Sequence, residues 1–183
     1  SIWLWGDGSK PQLPAFREKY GVRGAMISAV DLLKGIGICA GLRSIDVAGA
    51  TGNIHTNFDG KAAAAIQALT QDGDDFVYIH VEAPDECGHR GETENKVRSI
   101  ELIDEKIVGP LMRALEGQPH SILVLPDHPT PLAIRTHSGD PVPYILYRTG
   151  GTGSGLAYTE ANAASAGVFV EPGHTLMDRF LAG

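Results

Sequence analysis

Cysteine is almost missing from this chain, with only Cys39 and Cys87 among 183 residues. Two thiols make no disulfide framework, so the sequence reads as a protein of the reducing cytoplasm. No apolar stretch approaches the length that spans a bilayer, and no signal peptide is legible. Positive charge is scarce as well. A net charge of −7 with no Lys/Arg run excludes nucleic acid and an anionic membrane as expected partners. An anionic substrate would need a local positive field, for which bound metal is the obvious source. Gly6-Asp7-Gly8-Ser9-Lys10 lacks the spacing of P-loop and dinucleotide motifs.

What is present is a chain long enough to bury a full core, with one domain as the default. Ser1 has no Met before it, and Ile2-Trp3-Leu4-Trp5 reads as a strand entered without a lead-in. That is the pattern of a trimmed chain or of the later part of a longer one. Further strands are expected at 25–28, 45–47, 76–81, 121–125 and 144–147. Helices are expected at 13–20, 29–41, 60–69, 93–116, 160–166 and 173–181. The clearest helix is 93–116, where Val97, Ile100, Ile103, Ile107, Leu111 and Leu115 recur every three or four positions behind Thr93 as N-cap. Strands separated by helices predict an α/β fold: a mostly parallel sheet covered on both faces, a three-layer α/β/α sandwich.

Two stretches carry the chemistry. Pro84-Asp85-Glu86-Cys87-Gly88-His89 follows the strand at 76–81. Pro126-Asp127-His128-Pro129 follows the strand at 121–125, with His137 nine residues beyond His128. Both place Asp and His at strand carboxyl ends, where an open α/β sheet builds its sites. Imidazole and carboxylate donors suit a divalent ion such as Mn, Zn, Co or Mg. Asp85 and His89 are four apart, so a helical turn after Pro84 puts both on one side. Asp127 and His128 are adjacent, so their side chains diverge unless the backbone turns, and the pair can then reach two different ions. Pro129 biases His128 toward an extended conformation. Each Asp alone could equally cap a loop, and each His alone could satisfy a hydrogen bond. The coincidence of two clusters with His137 favours metal.

Structural roles are expected for His80, His120 and His174, and Cys87 reads as a spectator. His55 lies in the polar loop Gly52-Asn53-Ile54-His55-Thr56-Asn57 and stays open as a site residue. The face with Arg98, Glu101, Asp104, Glu105 and Lys106 reads as solvated.

Taken together, Pro84 to Gly91, Asp127-His128-Pro129-Thr130-Pro131, Arg135-Thr136-His137 and Asp140-Pro141-Val142-Pro143 resemble the archaeal-type cofactor-independent phosphoglycerate mutases of the alkaline phosphatase superfamily. Gly49 to Lys61 and Ile2 to Gly6 match that family too, so the resemblance runs along essentially the whole chain. It implies an alkaline phosphatase-like core and two divalent ions. Asp85, His89 and His137 would hold one, and Asp127 and His128 the other. It implies interconversion of 3- and 2-phosphoglycerate through a phosphoserine, with no bisphosphoglycerate cofactor. The family's nucleophilic Ser, a further metal-binding Asp and an inserted lid precede the matching segment. Residues 1–183 would therefore be the carboxy-terminal part of the catalytic domain, partnered by the amino-terminal portion of the same protein. Pro129 stands where bacterial relatives carry Gly, and their paired substrate arginines have no counterpart. Lys10, Asn53, His55 and Lys61 are the remaining candidates for substrate contacts. The rival readings are a phosphatase or another phosphomutase of the superfamily, or a non-catalytic metal-binding module.

Overall fold

Gly24–Ile27 forms β1, buried along its whole length, and lies between β2 (Arg43–Ile45) and β3 (Phe76–Ile79). All three strands are parallel, with Ala25 opposite both Arg43 and Val77, and Ile27 opposite both Ile45 and Ile79. The structure, a computed structural model, describes residues 9–182; the strand expected at 2–5 lies outside them. The chain divides into two compact units, Ser1–Glu82 and Ala83–Gly183.

In the first unit α1 (Phe16–Tyr20), α2 (Asp31–Cys39) and α3 (Phe58–Thr70) accompany the sheet. Phe16 stacks on Phe76 with ring centroids 4.8 Å apart. Helix α3 begins where the Asn57 side chain accepts a hydrogen bond from the Gly60 N–H at 2.8 Å, a side-chain N-cap. It buries Phe58, Ala62, Ala65 and Ala68, spaced three and four apart, and packs on β1 and β3. The Arg43 guanidinium donates to Asp72 at 2.8 Å and to Asp74 at 2.5 Å, tying β2 to the turn after α3.

The second unit opens with α4 (Ala83–Arg90), which packs on α5 (Thr93–Ile103). The helix expected at 93–116 runs from Thr93 to Ala114 with a π turn inside it. Residues Asp104–Val108 are π-helical, and α6 (Gly109–Ala114) resumes with Pro110 near its start. A proline has no N–H and its ring crowds the carbonyl four residues back, so the widened turn before Pro110 absorbs the conflict. The extra residue of a π turn also rotates the stripe by about 100°. Ile107 and Leu111 are buried accordingly, whereas Val97 and Ile100 are about half exposed and Ser99 takes the buried position in α5.

Strands β4 (Ser121–Val124) and β5 (Ile145–Arg148) pair antiparallel, Ser121 opposite Arg148 and Val124 opposite Ile145. The mostly parallel arrangement therefore belongs to β1–β3. Between β4 and β5 the prolines at 126, 129, 131, 141 and 143 forbid a crossover helix, so the chain returns as an irregular loop. Helix α7 (Glu160–Ser165) and α8 (Leu176–Leu181) complete the unit. No described helix is long and apolar enough to cross a membrane.

Candidate metal centre

Pro84 stands in the first turn of α4, where a missing N–H costs nothing. The helix then carries Asp85 and His89 on one side, one turn apart. The long β4–β5 loop brings His137 to them. The His89 Nε2 lies 3.4 Å from Asp85 Oδ2, the His137 Nε2 lies 3.3 Å from Asp85 Oδ1, and the two Nε2 atoms are 3.1 Å apart. The two Asp85 edges end on different carboxylate oxygens, and with one ligand atom taken from each residue the three lie within 4.8 Å of one another, close enough to share a divalent ion. Among the described residues this is the one group of three such side chains whose ligand atoms converge in this way.

The ring of His89 is aimed by its other nitrogen. Its Nδ1 lies 3.0 Å from the Arg135 carbonyl, which only an N–H can satisfy, so in the neutral ring Nε2 carries the lone pair. Arg135 holds that carbonyl in place from a left-handed backbone, φ 53°. Two glycines make the surrounding approach possible. A Cβ on Gly88 would lie 2.7 Å from the Thr130 carbonyl and 2.9 Å from Lys96 Nζ. Gly91, at φ 69°, ends α4, and a Cβ there would lie 2.7 Å from Arg135 Nε.

Asp127 and His128 do not diverge. The backbone bends at this pair, the His128 N–H donates to Asp127 Oδ1 at 3.1 Å, and Asp127 Oδ2 lies 3.5 Å from His128 Nε2. The His128 ring rests on His137, centroids 3.7 Å apart. His137 thus joins the triad to the Asp127/His128 pair. Two carboxylates and three imidazoles form a donor set of oxygen and nitrogen lone pairs, the chemistry that divalent cations take.

The substrate candidates lie elsewhere on the chain, in the first unit. Lys10 and His55 are exposed. The Asn53 Oδ1 is occupied locally, accepting from the His55 N–H at 2.9 Å and the Thr51 hydroxyl at 3.2 Å. Lys61 is fully enclosed and donates to the His80 carbonyl at 2.8 Å. Burial pushes its pKa down, and the Glu82 carboxylate partly opposes the shift. It would reach an anion only by releasing His80. Cys87 is buried, and burial raises its thiol pKa, which suits packing rather than ligation. Of the other histidines, the Nδ1 of His80 lies 3.4 Å from the Ser28 hydroxyl and that of His120 lies 2.8 Å from the Gln118 carbonyl.

Sequence reading missed Thr130, Lys96 and Arg135. Thr130 is buried and its hydroxyl donates to Asp85 Oδ1, while Lys96 donates to the Thr130 carbonyl at 2.8 Å. The signal available was the pair Gly88 and Gly91 within the motif, which announces close neighbours on both sides of α4.

Carboxylates and imidazoles that converge in this way mark a metal-binding protein. The chain belongs to the metalloenzyme superfamily, whose family model matches residues 1–182. It is 51% identical over 190 residues to a 2,3-bisphosphoglycerate-independent phosphoglycerate mutase of Methanothrix thermoacetophila, covering 100% of this chain and 47% of that protein. A probable 2,3-bisphosphoglycerate-independent phosphoglycerate mutase of Geobacter sulfurreducens is 50% identical over 184 residues, covering 99% and 46%. The solved structure of the cofactor-independent phosphoglycerate mutase from Thermoplasma acidophilum matches with a TM-score of 0.69 at 25% identity, over 94% of this chain and 39% of that one. The chain spans about half the length of the curated relatives it matches.

Proposed function

We propose that this chain supplies the metal-holding part of a 2,3-bisphosphoglycerate-independent phosphoglycerate mutase that works in the cytoplasm. The observation that carries this reading is the convergence of Asp85, His89 and His137 at distances that fit one ion, in a chain half identical to relatives of that name. Asp85, His89 and His137 hold one divalent ion, and Asp127 and His128 contribute to a second. Nitrogen and oxygen donors of this kind accept Mn, Zn, Co or Mg. When bound, the ions supply positive charge against the phosphoryl oxygens and lower the pKa of a serine hydroxyl.

The chain's own residues orient that apparatus. Arg135 turns His89 so that Nε2 faces Asp85 and His137. His137 and Asp127 are the most exposed members of the set, so the donor group opens to solvent on their side. Lys10, Asn53 and His55 are proposed as substrate contacts carried by the first unit, and Lys61 would have to give up its bond to the His80 carbonyl to take part. The nucleophilic serine, a further Asp ligand and a lid that excludes water belong to the remainder of the relatives' length, so these residues by themselves form a metal-binding part of one catalytic domain. No bisphosphoglycerate is required, because the phosphoryl group returns from the serine to glycerate.

The test is an assay of these residues joined to that remainder, on 3-phosphoglycerate without bisphosphoglycerate, after chelation and after adding Mn²⁺. Metal-restored 2-phosphoglycerate is expected. Release of inorganic phosphate instead identifies a hydrolase of the superfamily. Turnover that survives Asp127→Ala overturns the catalytic reading.

A further inference from the structure

Thr130 touches both parts of the donor set, although it offers neither a carboxylate nor an imidazole. Its hydroxyl donates to Asp85 Oδ1, and its oxygen lies 3.3 Å from His128 Nδ1. A hydroxyl has one proton. With that proton committed to the carboxylate, the oxygen accepts, and His128 Nδ1 must be the donor. In the neutral ring that choice leaves the His128 lone pair on Nε2, the nitrogen 3.5 Å from Asp127 Oδ2.

The residue is itself braced. Thr130 is 5% exposed, its carbonyl accepts from Lys96 Nζ at 2.8 Å, and the bare Cα of Gly88 lets α4 close on it. A side chain gripped this firmly transmits a shift of Asp85 to His128, and the reverse. We infer that Thr130 is a positioning residue that couples the Asp85/His89/His137 group to the Asp127/His128 pair, so that an ion in one prepares the other. This rests on the metal reading above.

Thr130→Val keeps the shape and removes the hydroxyl, whereas Thr130→Ser keeps the hydroxyl. In the intact protein, calorimetric titration with Mn²⁺ should show two ions for the parent and for T130S. T130V should bind the second ion about 10- to 100-fold more weakly, the usual cost of losing a group that orients a ligand. Nitrogen NMR of His128 without metal should report an Nδ1–H tautomer in the parent and T130S, and loss of that preference in T130V. A purely packing role would move neither the tautomer nor the rescue by Ser. Should T130V not fold by circular dichroism, T130A removes the oxygen without adding a methyl and takes its place. Two-ion binding and tautomer unchanged in the hydroxyl-free variant would overturn the coupling while leaving the metal reading intact. A parent protein that binds no ion overturns both.

Discussion

His89 directs its Nδ1 at the carbonyl of Arg135, 3.0 Å away, and Arg135 is the one non-glycine residue with positive φ among those described. The contact is made by backbone, from a conformation that L side chains adopt at a cost of roughly 1–2 kcal/mol. The ring orientation of His89 thus depends on a strained residue 46 positions away in sequence.

Arg135→Gly should therefore preserve metal affinity, because glycine adopts this backbone without strain and still presents the carbonyl. Arg135→Val should weaken Mn²⁺ binding about tenfold, since a β-branched residue resists positive φ and pulls the carbonyl off His89. Calorimetry on the two variants checks this. Equal loss in both would assign the role to the guanidinium instead.

Gly88→Ala should destabilise the protein by about 1–3 kcal/mol, the usual cost of overpacking. The new Cβ would meet a backbone carbonyl, Thr130 O at 2.7 Å, which cannot swing aside. Gly139→Ala is the control, with nothing within 4 Å of its Cβ position. Urea midpoints of the two variants should separate clearly.

Metal content should sort the ligand variants. His89→Ala should lose one ion, and Asp127→Ala and His128→Ala the other. His137→Ala should lose the first and also loosen the second, since the His128 ring rests on it. Elemental analysis per chain gives the answer, and His137→Ala retaining both ions would remove that residue from the ligand set.

Lys61 should give the fold an alkaline signature. Burial lowers its folded-state pKa below the ordinary 10.5. Between those two values the unfolded chain binds the extra proton, so stability rises with pH across that window. Lys61→Met should lack this rise. Urea unfolding of both proteins at several pH values up to 10.5 measures the difference in slope, and parallel curves would contradict the assignment.

The sequence by itself determined the local parts of this protein. Hydrophobic runs marked β1, β3 and β4, and the four-residue spacing placed Asp85 and His89 on one side of a turn, because helical periodicity is a property of neighbours in the chain. The Asp/His composition announced a metal, since few other ligands want that donor set. Tertiary structure decided what crosses long intervals. It chose the carbonyl of Arg135 for His89, set Thr130 between Asp85 and His128, and turned Lys61 inward to His80. It also bent Asp127 back onto His128 and ran β5 antiparallel to β4. Periodicity carries no record of a partner 34 to 46 residues away. Such pairings are selected only when packing brings donors and acceptors out of water together, where each unpaired polar group costs on the order of 1–3 kcal/mol.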